Sequence, residues 1–302
     1  MLETRPIAAA ASMIGAMAII GYIDNFIVTI AEDAGIWQFH FIRSLMSIPL
    51  FVAIVWLGWG RARPKRLWAV AARSFFLTCA LVLYFASLAV LPIEEAVAGL
   101  FTSPIFVLLI AVLVQKKKIG PFRIVAVLVG FLGIILVLRP DAGAFSVWTL
   151  VPVVAGFLYA ISAVATRAWC AEEETITLTV GSFFGLGTAG LVGLIAMFVF
   201  PDLARSDGSS FVLHAWESPT PRFLFWTAVQ AVGSVGAVFL IVRAYQLGEA
   251  SYVGVFEYSL LVFVSVWAFL LRGEVVDTAA ALGIVLIVVS GTVIALRSRQ
   301  AA

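Results

Sequence analysis

Ten stretches of about twenty mostly apolar residues alternate along the chain with short polar or charged connections. They run over 8–30, 38–58, 68–90, 95–115, 121–139, 147–168, 176–200, 222–245, 250–271 and 277–296. Each is long enough to cross the roughly 30 Å hydrocarbon core of a bilayer as an α-helix. The pattern predicts an all-α membrane protein with ten transmembrane helices. One connection is substantial, from Pro201 to Pro221, with Asp202, Asp207, Gly208, Pro219 and Pro221 as breakers. Within it Phe211, Val212, Leu213 and Trp216 are expected on the membrane surface.

Composition narrows the class further. The chain is 63% hydrophobic and 12% charged, with mean hydropathy +1.11. Soluble domains are roughly half apolar and a quarter charged, so a soluble fold is excluded. The formal charge of +2 gives no reason to expect a nucleic-acid partner, because the basic residues form short clusters between apolar stretches. Two cysteines, Cys79 and Cys170, and two histidines support neither a disulfide framework nor a metal cluster, and nothing calls for a cofactor. The first apolar stretch, Ala8 to Ile30, lacks a small-x-small cleavage site and reads as a retained helix.

Those basic clusters orient the helices. With the N-terminus in the cytoplasm, ten spans place Arg5, Arg61, Arg63, Lys65, Arg66, Arg73, Lys116, Lys117, Lys118, Arg123, Arg167, Arg243, Arg297 and Arg299 inside. Outside fall only Arg139, Arg205, Arg222 and Arg272, with Arg43 within a span. Both termini are therefore expected in the cytoplasm and the protein in an inner (plasma) membrane.

An internal repeat divides the chain. Val127 to Arg139 matches Val285 to Arg297, with Gly133 on Gly291, so helix 5 corresponds to helix 10. Glu95-Ala96 aligns with Glu249-Ala250, which carries Ser103-Pro104 onto Glu257-Tyr258; Tyr22 and Thr29 align more weakly with Tyr159 and Thr166. Residues 1–140 and 141–302 then form two five-helix repeats. An odd number of helices per repeat inverts the second in the bilayer, the common construction of secondary transporters with a site at the midplane.

Several local motifs carry a family resemblance. They are Arg43 in helix 2, Tyr84-Phe85-Ala86-Ser87-Leu88 to Glu94-Glu95-Ala96, Ser103-Pro104-Ile105-Phe106, Gly130-Phe131-Leu132-Gly133 to Arg139-Pro140, and Phe256-Glu257-Tyr258 followed by Gly273-Glu274. Together they resemble the drug/metabolite transporter superfamily, in particular proteins with two EamA-type domains and the branch of S-adenosylmethionine and riboflavin transporters. Lys116-Lys117-Lys118 departs from that pattern, standing where such proteins usually carry a Gly-Glu pair. The resemblance implies alternating access, one repeat rocking against the other around a midplane site lined by helices 1, 3, 4, 6, 8 and 9.

Ionisable side chains at spanning depth cost at least about 2.5 kcal/mol and are functional candidates. Asp24, with Asn25 and Tyr22, is positioned to bind a cationic group or take up a proton, or else sits at headgroup level. Glu257, some seven residues into helix 9, is the stronger candidate for substrate binding or proton coupling. Its neighbour Tyr258 points ~100° away around the helix, so both cannot face a cavity equally. Arg43 reads as an anchor for Asp33, a headgroup contact or a counter-ion. Glu94 and Glu95 suit the positive N-terminus of helix 4. Pro104 kinks helix 4 and offers a hinge. By the resemblance, Tyr22, Tyr84, Phe101, Tyr159 and Trp267 line the cavity, with Ser103 near mid-depth, and their rings suit a planar or cationic ligand.

The sequence contains no Walker motif, phosphate loop, HExxH or nucleophile elbow to support ATP drive or hydrolysis. The expected protein is a carrier, not an enzyme, with a small-molecule substrate and membrane lipid as partners and homodimerisation left open. An intramembrane enzyme or a channel is the alternative. His40 and His214 lie near helix boundaries, and the charged residues are single, where a pore needs a ring of like groups.

Overall fold

A computed structural model describes residues 5–88, 90–141, 146–201 and 211–300, the side chains of 297–300 excepted. Asp202, Arg205, Asp207 and Gly208 lie outside the described residues, as do the side chains of Arg297 and Arg299.

Among the described residues ten helical spans are long and apolar enough to cross a membrane, and the fold is all-α. The helices are α1 (Pro6–Asp24), α2 (Ile27–Ala31), α3 (Ile36–Trp56), α4 (Leu67–Ser87), α5 (Ile93–Leu100), α6 (Ser103–Leu113), α7 (Pro121–Leu138), α8 (Leu150–Ala168), α9 (Thr175–Val199), α10 (Pro221–Leu247), α11 (Ala250–Val253), α12 (Ser259–Arg272) and α13 (Thr278–Gln300). Local chemistry sets several ends. Thr220 caps α10 by accepting the Phe223 N–H, with Pro221 at the first helical position. Gly273, at φ +68, closes α12 in the left-handed conformation.

Three spans differ from the continuous helices expected. The first stops at Asp24, turns through Asn25 and Phe26, and resumes as α2, so Asp24 ends a helix instead of lying inside one. The fourth breaks between Leu100 and Ser103. Pro104 is therefore not a mid-helix kink; it occupies the first turn of α6, where its missing N–H costs nothing. The ninth passes from α11 through a 3₁₀ segment, Gly254–Tyr258, before α12. In the repeat alignment the fourth-span and ninth-span breaks fall at matching positions. They also touch: a Cβ built on Gly254 would lie 3.4 Å from Pro104 Cβ.

Helix packing interleaves the two halves of the chain. α1 lies along α10 and α12, α8 along α4 and the α5–α6 pair, α3 along α9 and α10, α4 also along α9, and α7 along α13. Exchanging each span with the one five places on turns the first–eighth packing into sixth–third, first–ninth into sixth–fourth, and second–eighth into seventh–third. At the α7–α13 seam Gly133 and Gly283 meet so closely that a Cβ on either would stand 2.6–2.7 Å from the other's carbonyl oxygen.

The segment 211–219 is not laid flat on a membrane surface. Phe211 O accepts the Ile36 N–H, Val212 O accepts Trp37 Nε1–H at 2.8 Å, and Gln38 pairs with the Glu217 backbone. Val212 and His214 are buried over the start of α3, and only Trp216 of the hydrophobic residues named above is strongly exposed.

Candidate functional site

The break in the ninth span sets Glu257 in the middle of the bundle. A continuous helix would leave its backbone fully paired; the 3₁₀ turn instead swings Gly254 to Tyr258 between α1, α6, α7 and α13. Glu257 is 4% exposed, and its Oε1 accepts Tyr159 O–H from α8 at 2.9 Å and Tyr245 O–H from α10 at 2.7 Å. Both hydroxyls bond the same oxygen. Oε2 is left without a hydrogen bond from the described side chains, available to a proton or to a donor on a ligand. The Tyr245 hydroxyl also borders the Gly254–Pro104 contact, 3.7 Å from where a Gly254 Cβ would be.

A second cluster gathers at the C-terminal end of α1. Asp24 is exposed, yet it interacts electrostatically with Arg43 on α3 and with Tyr84 on α4. Tyr22, 36% exposed, packs edge-on against Trp267 and Phe26. Arg43 is half-buried: one Nη donates to His40 Nδ1 at 3.0 Å, and the guanidinium stacks over Phe39 and Phe183. Its longer contact, 3.4 Å to Ser234, reaches α10. Arg43 does not anchor Asp33, whose carboxylate is taken by Arg222 and Thr220.

The remaining sequence-derived candidates fall elsewhere. Tyr258 is buried away from Glu257 in a cluster with Phe101, Ile134, Leu261 and Ile287, and its ring fills the space a Gly130 side chain would need. Phe101 belongs to that packing, and Ser103 is buried at the start of α6. Asn25 Nδ2 turns back to Gly21 O at 2.6 Å. Glu94 is exposed as expected for a helix start, but Glu95 is 4% exposed with neither carboxylate oxygen hydrogen-bonded among the described residues, so surface capping does not account for it.

Two residues of the site escaped the sequence reading. Arg73, counted there with loop charges, lies seven residues into α4, 4% exposed. Its Nε donates to Thr166 Oγ1 at 3.1 Å, and Nη1 donates to Ser182 Oγ at 2.5 Å and Leu178 O at 3.3 Å, joining α4 to α8 and α9. Tyr159 feels both Glu257 and Arg73, so it stands between a buried carboxylate and a buried guanidinium. Tyr245 was missed because it sits two residues from the end of α10. A rule that pairs every intramembrane carboxylate with nearby Tyr or Arg would have raised both.

At the ends of the bundle carboxylates tie loops to helix starts. Glu173, 5% exposed, accepts the backbone N–H of Lys65 at 2.9 Å and of Arg66 at 2.6 Å, capping α4 from the α8–α9 connection. Glu174 accepts Arg61 N–H at 2.6 Å. On the opposite face Asp33 binds the start of α10 through Arg222 and Thr220, and the Arg222 hydrogen bonds hold its carboxyl below the usual aspartate range. Burial pulls the Glu249 carboxyl upward, but Arg123 at 2.6 Å, with Lys117 and Arg167, outweighs it and leaves it below the usual range. Among the described residues no group of His, Cys, Asp or Glu is arranged to hold a metal ion.

Comparison with known proteins adds the following. Residues 7–139 match the EamA-like transporter family. The chain is 28% identical to a riboflavin transporter of Rhizobium johnstonii over 75% of its length and 68% of the relative's. It is 30% identical to a pseudopaline exporter of Pseudomonas aeruginosa over 70% and 68% of the two chains. A solved crystal structure shares the fold at TM-score 0.76 and 18% identity, the match covering 96% of this chain and 98% of the other.

Proposed function

From the premise that the chain belongs to the EamA-like transporter family, and is a transporter and not an enzyme, we propose a secondary active carrier for a small organic metabolite, working by alternating access with coupling to protons or to exchange. The observation that carries the proposal is Glu257: a buried carboxylate in a helix break, held on one oxygen by Tyr159 and Tyr245 and open on the other. A group so placed binds a proton or a ligand cation, but not both at full strength, which is the requirement for coupling.

Two inverted five-helix repeats, 1–140 and 141–302, fit the exchange symmetry of the packing. That packing also favours movement of interleaved groups, α1 with α10 and α12 against α8 with α4 and α5–α6, over one sequence repeat moving against the other. The positive loops favour an inner membrane with both termini in the cytoplasm. Relatives that carry riboflavin and export pseudopaline support a metabolite as substrate. Asp24, Arg43, Tyr22 and Tyr84 are read as the mouth of the path and Glu257, Tyr159 and Tyr245 as its floor.

The test is transport in proteoliposomes with a panel of labelled flavins, nucleosides, amino acids and amines. The carrier reading requires saturable counterflow of at least one; non-saturable passage would instead indicate a channel. With the transported compound in hand, Glu257→Gln is expected to abolish accumulation driven by a pH gradient and to spare exchange. Unchanged accumulation at normal expression would remove Glu257 from the mechanism.

A further inference from the structure

A cavity of about 220 Å³ opens at the junction of α4 and α8, lined by Lys65, Arg66, Arg167, Trp169, Glu172 and Glu173 among others. Its volume equals roughly seven waters at about 30 Å³ each, room for a phosphate group with part of its hydration. Lys65 and Arg66 are exposed at its edge and Arg167 is half-buried in its wall, fixed by a 2.7 Å hydrogen bond from Nη1 to Gln246 O. Of the two carboxylates, Glu173 is spent on the amides of Lys65 and Arg66, turned into the protein; Glu172 is exposed. Lys65, Arg66 and Arg167 thus line the opening, and none of them forms a salt bridge with a carboxylate among the described residues, Glu249 acting on Arg167 only at longer range.

The cavity also sits at a definite depth. Trp68, 61% exposed on the first turn of α4, and Trp169, at the end of α8, bring their rings to 5.9 Å beside it. Exposed tryptophans at helix ends mark the headgroup level of a membrane. Arg61 and Arg63 precede Lys65 and Arg66, making four cations in six residues directly before a spanning helix, the pattern that attracts anionic lipid.

We propose that this cavity binds the phosphate of an anionic phospholipid, held by Lys65, Arg66 and Arg167, with the glycerol and upper acyl region against Trp68 and Trp169. A free phosphate shares the ionic chemistry; the tryptophan pair is what favours the lipid. The site is built from the cavity alone and does not depend on which substrate is carried.

The experiment uses the full chain purified in a neutral detergent and measures thermal unfolding as phosphatidylglycerol, phosphatidylcholine or inorganic phosphate is added. Phosphatidylglycerol is expected to raise Tm by several degrees and phosphatidylcholine to leave it nearly unchanged. The Lys65→Gln/Arg66→Gln variant should lose most of that rise, whereas Arg61→Gln/Arg63→Gln, which removes the same charge outside the cavity, should keep it. Equal loss in the two variants, or equal stabilisation by the two lipids, would overturn the site. Stabilisation by millimolar phosphate equal to that by phosphatidylglycerol would overturn the lipid assignment. Should the first variant fail to fold, Arg167→Gln is compared by native mass spectrometry for retained phosphatidylglycerol: wild-type retention lost in the variant supports the site, and unchanged retention rejects it.

Discussion

Pro104 and Gly254 meet at the centre of the bundle, the proline Cβ 3.4 Å from where a side chain on residue 254 would begin. The fourth and ninth spans both abandon regular α-helix at this crossing, and the nearby Tyr245 hydroxyl reaches Glu257. Gly254 has helical φ, so space and not backbone strain decides what it tolerates. Gly254→Ala is expected to fold with nearly unchanged Tm. Gly254→Val adds two methyl groups against Pro104 and the Tyr245 hydroxyl and should cost ~1–3 kcal/mol, read as lowered thermal stability. Equal Tm values for the two variants would show that the crossing is loosely packed.

Arg73 offers a sharper contrast. Truncating a buried ion usually strands its partner, but Arg73 bonds only neutral acceptors, and Thr166 and Ser182 also donate to carbonyls one turn back on their own helices. Arg73→Met should therefore leave no stranded charge at the guanidinium's own contacts and change stability by less than ~1.5 kcal/mol, in either direction. A much larger loss would mean that the guanidinium balances Glu257 through Tyr159, and restoring stability with Glu257→Gln in the same chain would establish that link.

The two neighbouring glutamates of the α8–α9 connection should respond unequally to amide substitution. Glu173 accepts one backbone N–H on each oxygen, so a glutamine turns an NH₂ against an amide donor. Glu174 uses a single oxygen, a role that glutamine fills. Glu173→Gln is expected to cost ~1–3 kcal/mol, and Glu174→Gln under ~0.5 kcal/mol. Chemical denaturation in one detergent measures both, and a reversed order would contradict the geometry.

The Asp33–Arg222 contact gives a pH signature. Asp33 titrates below its ordinary 3.8 in the folded protein, so the unfolded chain takes up the proton first as pH falls. The stabilisation is fully present above about pH 4 and is lost as pH drops through the lower folded value. Arg222→Gln should narrow the difference between Tm at pH 6 and Tm at pH 3.5 relative to wild type. The Arg222 side chain is half-exposed, so the effect is small and shrinks in high salt.

Hydropathy located all ten spans to within a few residues, because burial in lipid acts on every side chain of a twenty-residue window. Breaks were harder to see. Asn25 is a single polar residue, and Leu100 to Ser103 and Gly254 to Tyr258 are too short to pull down the mean of a twenty-residue window; the last two meet each other at Pro104 and Gly254, a contact no single span displays. Pro104 was the visible trace of one break, misread as a kink. Glu257 and Tyr159 were legible as candidates, since an acid in an apolar run is conspicuous. Their meeting was not, nor was Tyr245, because a hydrogen bond between three spans has no signature in any one of them. Arg73 lay within the expected third span and was still counted with the loop cations before it, because a basic residue close to a helix start looks the same in sequence whether it turns to the headgroups or into the bundle.

The glycine contact between α7 and α13 has a mechanical meaning. Each backbone lies under the other's carbonyl oxygen at Gly133 and Gly283, with Ile287 wedged alongside, so neither helix can slide lengthwise without forcing an oxygen past a Cα. The two helices are locked to each other as one unit, which α1, α5, α6 and α12 touch along its side. Any rearrangement of the other helices against the pair must be taken up in the connections that join them to it, among them residues 114–120 and 273–277 and the start of the link from α7 to α8, where Lys116, Gly273 and Arg139 already stand at positive φ.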